Sequence, residues 1–190
     1  MCRSDNDVWY RPAVKANGQP VYEYILVYSD DLLAIGIDPK RVLCHIDQHY
    51  KLKDGSIERP NKYLGADIGM FDLPDGSKTW YMSSESYVKA AVANVERWLE
   101  KRGQHLKTKA ACVFPSGWKP ELDTTDLLKD DDASYFQQQI GVLRWMVELG
   151  RIDVLAEVSM LAAFSAAPRQ GHLLAVLHLF AYLKKHTRSK

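Results

Sequence analysis

Two apolar runs separated by adjacent carboxylates constrain the fold of this chain more than any other feature. Residues 22–28 read Tyr-Glu-Tyr-Ile-Leu-Val-Tyr, Ser29-Asp30-Asp31 follow, and an apolar run resumes at once over residues 32–37. Aromatic and β-branched residues broken by turn formers predict strand, tight turn and strand, with Asp30 and Asp31 at the hairpin tip. Asp is an ordinary turn residue, because its side chain bonds local backbone. Yet unpaired charge beside a core is expensive. At the tip of a rigid hairpin two carboxylates also make a hard-oxygen platform for Mg²⁺, an ion typically held by one or two carboxylates plus substrate phosphates.

The elements around this hairpin are legible from turn and cap residues. Val8-Trp9-Tyr10-Arg11 predicts a further strand, followed by a turn over residues 16–20. Asp38-Pro39 predicts a helix start, with Val42, Leu43, Ile46 and Tyr50 on its apolar face. Residues 63–72 and 78–83 predict a second hairpin around Leu73-Pro74-Asp75-Gly76-Ser77. Ser83 or Ser84 is placed to cap a helix that runs to Arg102, lined by Tyr87, Ala91, Val95 and Trp98 and stopped at Gly103. Residues 104–132 hold three prolines or glycines and then turn acidic, which predicts a surface strap. Three helices follow, over about residues 133–149, 152–166 and 170–185. Their expected core is Leu143, Met146, Val147, Leu155, Val158, Leu161, Leu174, Val176, Leu177 and Phe180. The fold class is α+β in front and all-α behind.

Composition sets outer limits. The 190 residues are 46% hydrophobic, as expected of a globular protein, and the net charge of +1 gives no global field for nucleic acid. Cys2, Cys44 and Cys112 are odd in number and scattered, so neither a disulfide framework nor zinc spacing is indicated. A reducing, intracellular setting fits best. Residues 173–183, the longest apolar stretch, contain His178 and are too short to span a bilayer, so no membrane partner is expected. His45 and His49 stand four apart beside Cys44, but no third ligand follows at recognisable spacing, which favours a surface pair.

The string Tyr-x-Asp-Asp between hydrophobic strands resembles the polymerase motif of reverse transcriptases. Asp7-Val8-Trp9-Tyr10-Arg11-Pro12, Tyr63-Leu64-Gly65, Met82-Ser83-Ser84-Glu85-Ser86-Tyr87-Val88 and Gln139-Ile140-Gly141-Val142-Leu143-Arg144-Trp145 resemble one branch, the Ty1/copia-type retrotransposon enzyme. The likeness continues through Gly150-Arg151-Ile152-Asp153-Val154, Val158-Ser159-Met160-Leu161, Pro168 and His172 to Ala181-Tyr182-Leu183-Lys184-Lys185. It implies palm-type antiparallel hairpins with packed helices over residues 1–103, a linker over 104–132, and an all-α segment like the family's thumb and connection over 133–190.

What the resemblance implies chemically is RNA-directed DNA polymerisation. Asp30 and Asp31 would be catalytic carboxylates and Mg²⁺ ligands, Asp30 the more direct. Tyr28, Ser29, Tyr63, Leu64 and Gly65 would touch primer or template. Ser29 departs from the small apolar residue frequent there. The implied partners are an RNA or DNA template–primer and the rest of a Pol polyprotein. Arg144, Arg151, Arg169, Lys184, Lys185, Arg188 and Lys190 are candidates for backbone phosphates, although a solvated helix face explains them equally. Phosphoryl transfer by this family uses two Mg²⁺ ions and a further Asp from an earlier strand. The likeness begins at about Ser4, after that strand, and Asp5 and Asp7 align with a solvent-side segment instead. The expectation is a fragment without polymerase activity of its own, whose strand at residues 22–28 lacks one partner and forms an aggregation-prone edge. The alternative is a non-catalytic module that binds nucleic acid or protein.

Overall fold

Alternation of half-buried and exposed side chains builds a three-stranded antiparallel sheet at the front of the chain. Strands β1 (Val8–Val14), β2 (Pro20–Tyr28) and β3 (Asp31–Ile35) lie in the order β1-β2-β3. The structure, a computed structural model, describes residues 1–108, 110–115 and 117–188; Lys190, one of the candidate cations, lies outside them. Val8 pairs with Leu26 and Val14 with Pro20, while Tyr24 pairs with Ile35 and Tyr28 with Asp31. The strand expected to be a bare edge is therefore the central one. Residues 8–14 fold back across the turn at residues 15–19, where Lys15 and Gln19 exchange a backbone hydrogen bond, and they satisfy the open side of β2. The edges are β1 and β3.

Helix α1 (Pro39–Asp47) starts where Asp38 and Pro39 predict it, with the Asp38 carboxylate accepting from the Arg41 amide at 3.0 Å. Val42, Leu43 and Ile46 are half-buried, but Tyr50 is exposed, because the helix ends before it. Asp38→Ala should cost about 0.5–2 kcal/mol of stability, the usual loss for an N-cap carboxylate; urea denaturation followed by circular dichroism checks it. Strand β4 (Lys62–Tyr63) closes this part of the chain. Residues 1–64 form one compact unit, and no described residue in it is fully buried.

The second unit, residues 65–190, holds the hydrophobic core. Strands β5 (Ala66–Asp72) and β6 (Lys78–Ser83) pair antiparallel with Asp72 opposite Lys78, which places the turn where Pro74-Asp75-Gly76 predicts it. Helix α2 (Glu85–Glu100) begins with the Ser83 hydroxyl accepting from the Glu85 amide. Its buried stripe is Val88, Ala91, Val92, Val95 and Leu99; Tyr87 and Trp98 flank it half-buried. Helix α3 (Asp130–Glu148) starts three residues earlier than the sequence suggests, because Asp130, Asp131 and Asp132 belong to its first turn, where negative charge suits the helix dipole. A single 3-10 turn (Ile152–Val154) leads into α4 (Leu155–Ala162), and α5 (Gln170–Lys185) completes the unit.

Phe136, Leu143, Met146, Val158, Leu161, Val176, Leu179, Phe180 and Leu183 are buried together. Leu155 and Leu174, expected in this core, are exposed at 48% and 61%. Leu155 opens α4 on its outer side, and Leu173 is the buried member of its pair with Leu174. The acidic strap is ordered where it meets α5: Leu127 and Arg169 form a β-bridge, and the Gln170 amide donates to the Asp126 carbonyl at 3.0 Å. Among the described residues no helix is long and apolar enough to cross a membrane.

Candidate functional site

Tyr28 and Asp31 close the β2–β3 ladder, so only Ser29 and Asp30 form the turn. Asp30 sits at the tip; Asp31 is the first paired residue of β3. Asp31 thus shares a sheet face with Tyr28, Leu26 and Leu33, since directly opposed residues point the same way. All four residues from Tyr28 to Asp31 are exposed. Ser29 has φ of +55°, a left-handed conformation that L side chains adopt at a cost. The turn is tight enough to demand it, because two-residue hairpins need positive φ to match strand twist.

A turn at Leu64 and Gly65 interrupts the strand expected over residues 63–72 and shows the same device. Leu64 has φ of +51° and Gly65 of +90°, and a Cβ built on Gly65 would stand 3.4 Å from the Tyr87 ring. The positive φ favours Gly there, whereas the added Cβ would make only an ordinary contact. Ser29 and Leu64 are the non-glycine residues with positive φ among the described residues, and both fall in segments singled out from the sequence. Within the first unit, Tyr63 is drawn to the acidic turn. Burial pushes its phenol up from the ordinary value, and the carboxylates of Asp31 and then Asp7 add to the rise.

Asp30 and Asp31 are the carboxylates the sequence offers for a metal, and both are exposed. Among the described residues no three His, Cys, Asp or Glu side chains come together. Two exposed carboxylates fit one Mg²⁺ completed by water and phosphate oxygens. They do not by themselves supply the bridging acids of a two-ion site.

A second feature lies in the helical unit and was not foreseen. A groove of about 480 Å³ between α2 and α3 is lined by Asn94, Arg97, Trp98, Lys101, Tyr135 and Gln138, among others. None of its lining residues is acidic. Trp98 and Tyr135 stack in parallel, 3.9 Å between centroids, and the Arg102 guanidinium covers Trp98 at 3.7 Å. Asp132 anchors Arg102 at 3.3 Å. The Tyr135 hydroxyl is buried without a partner among the described residues, and burial pushes its phenol up to about 12. Asn94, Arg97 and Lys101 recur at helical spacing, a signal the sequence contained.

The C-terminal cations are largely committed within the fold. Lys184 pairs with Glu96 at 2.6 Å, Arg188 with Glu85, and Arg169 donates to the Thr125 carbonyl. Arg151 is a correction. Expected at a solvated or phosphate-facing surface, it is fully buried, with Nε and Nη2 each 2.8 Å from the Asp153 carboxylate. It cannot reach a phosphate. Arg144 and Lys185 remain exposed.

Comparison with known proteins places these features in context. No family model matches the chain, and no solved structure does. The chain is 30% identical over 164 residues to a transposon Ty5-1 protein of Saccharomyces cerevisiae, covering 84% of this chain and 48% of that protein. It is 25% identical over 163 residues to the retrovirus-related Pol polyprotein from transposon RE1 of Arabidopsis thaliana, covering 84% of this chain and 10% of that one. The chain therefore spans about half the length of the first relative and a tenth of the second. Its origin is retrotransposon Pol-related, and its counterpart in the longer relative is one part of a larger polyprotein.

Proposed function

We propose that the chain is part of a Ty1/copia-type reverse transcriptase: the metal-holding turn of the palm, a primer-contacting turn and the helices that follow. The observation that carries this is the strained backbone at Ser29. Left-handed conformations in non-glycine residues cost about 1–3 kcal/mol each and cluster at functional sites. Here the strain aims two adjacent carboxylates outward from a sheet end. Asp30 and Asp31 would hold Mg²⁺, which when bound neutralises charge on transferring phosphoryl oxygens. Tyr28 and Ser29 would lie beside the primer end, and Tyr63, Leu64 and Gly65 beside its backbone. Arg97 and Lys101 add a local positive groove that the near-zero net charge conceals. The exposed tyrosines Tyr10, Tyr22 and Tyr24, with centroids 5.7–6.4 Å apart, suit a unit covered by further polypeptide.

Primer extension and template–primer binding test this together. With two carboxylates and no third beside them among the described residues, the chain should extend no primer in Mg²⁺ or Mn²⁺, because the charge stabilisation of a full two-ion site is worth several kcal/mol. It should bind template–primer duplex in a salt-sensitive way. Arg97→Ala or Lys101→Ala should each lower the slope of log affinity against log salt by about 1. Extension that Asp30→Asn abolishes would show an intact polymerase centre instead. Binding without extension is expected of this reading and of the alternative of a retained binding module alike; Mg²⁺ binding that Asp30→Asn abolishes favours the first, its absence the second, and no salt-dependent binding at all would sink both.

A further inference from the structure

The α1 helix presents a pair of imidazoles that the proposed polymerase role does not use. His45 lies in its last turn and His49 in the turn just beyond, held there by the His49 amide donating to the Ile46 carbonyl at 2.9 Å. Residues four apart share one helix face. The two rings stand 5.5 Å apart between centroids at an interplanar angle of 39°, both exposed. Neither ring makes a hydrogen bond among the described residues, so all their nitrogens are open to a ligand.

We propose that His45 and His49 form a bidentate site for a borderline divalent transition ion of the Zn²⁺ or Cu²⁺ class. Distance supports it. With metal–nitrogen bonds of about 2.0–2.1 Å and about 1.1 Å more to each ring centre, two imidazoles on one tetrahedral ion have centroids about 5.2 Å apart. The observed centroid spacing of 5.5 Å is close to this value. Ligand type selects the ion: imidazole suits Zn²⁺ and Cu²⁺, whereas Mg²⁺ prefers carboxylate, carbonyl and water. The site is distinct in chemistry and position from Asp30 and Asp31. Position on the helix favours it too, since the C-terminal end of a helix carries partial negative charge that attracts cations. Asp47 is turned to the backbone, accepting from the Leu52 amide at 2.8 Å, and supplies no third ligand. The remaining coordination positions are therefore filled by water or by a donor from another molecule.

Titration of the full chain with Zn²⁺, followed by calorimetry and repeated with Co²⁺ by visible absorption, tests the site. One ion should bind per chain, and excess Mg²⁺ should not displace it. His45→Gln or His49→Gln should each weaken binding by more than the about 10–100-fold that loss of an outer-shell partner typically costs. Asp30→Asn should leave it unchanged. Both imidazoles are on an exposed helix, and circular dichroism verifies that the variants fold. On the unsubstituted chain, paramagnetic Cu²⁺ should broaden the imidazole resonances of His45 and His49 first. Unchanged affinity in both His variants, or broadening centred on His178 near Cys112 instead, would overturn the proposal.

Discussion

Asp153→Asn is expected to lower the stability of the helical unit by about 3 kcal/mol, near the lower end of the range for breaking a buried ion pair. The cost arises on the other partner. Arg151 is fully buried, and its Nε and Nη2 are satisfied by the two Asp153 oxygens, while Nη1 has no partner among the described residues. Asn can accept at one oxygen but offers no charge, so a guanidinium is left in the interior without compensation. The Asp153 side chain keeps 31% of its exposure, and this solvent contact moderates the loss. Arg151→Met should behave differently. It removes the buried charge together with the demand for a partner, and replacing such a pair with apolar volume is often neutral or stabilising by about 1–4 kcal/mol. Urea denaturation of both variants separates the two outcomes. The same pair predicts an acid limb. Arg151 holds the Asp153 carboxyl below the ordinary carboxylate range, chiefly by direct hydrogen bonding. A carboxyl with a depressed folded pKa stabilises fully above its unfolded value of about 3.9, and the contribution is lost as pH falls through the lower folded value. Asp153→Asn should lack that portion of the acid limb.

Local chemistry was legible in the sequence wherever one residue decided the outcome. The Asp38-Pro39 helix start, the turn around Asp75-Gly76 and the Tyr28-to-Asp31 hairpin closure each depend on neighbours within a few positions. What the sequence hid was decided by burial and packing that residue type alone does not fix. Arg151 reads as a surface cation until it is seen to be fully buried with the partly exposed carboxylate two residues on. Acids at positions 130–132 read as the end of a linker, because a run of like charge suggests solvent, yet they open α3. The strand at residues 22–28 reads as an unpaired edge only if residues 8–14 are given no role. For the candidate site, residue types and order pointed to Asp30, Asp31, Tyr63 and Gly65. The left-handed backbone of Ser29 and Leu64 was not predictable, because neither side chain favours it. Tertiary context imposes that geometry.

The strap supplies the second large effect, through His172. This ring is 1% exposed, and both nitrogens are occupied: Nδ1 accepts from the Arg169 amide at 3.1 Å, so the proton lies on Nε2, which donates to the Pro120 carbonyl at 3.0 Å. One side chain thereby caps α5 and fastens the strap to it. Trp118, Phe136 and Phe164 surround the ring, with Phe164 only 4.3 Å away between centroids. His172→Ala should cost about 1–3 kcal/mol for each buried partner it leaves unsatisfied, plus the cavity left among those rings. His172→Phe fills the space but restores neither hydrogen bond, so the difference between the variants isolates the cavity. Gly171→Ala attacks the same joint from outside the ring. A Cβ there would overlap the Asp123 carboxylate, which accepts from Trp118 Nε1 and the Thr125 amide, and overpacking of this kind costs about 1–3 kcal/mol. Hydrogen exchange discriminates a loosened strap from general unfolding. The amides of Leu128, Gln170 and Gly171, which bond across the joint, should lose protection in all three variants. Those of α2 and the middle of α3 should keep theirs, because their burial against Val95, Leu143 and Met146 does not pass through His172. Uniform loss throughout the helical unit would mean that the strap is part of the core rather than a segment fastened onto it.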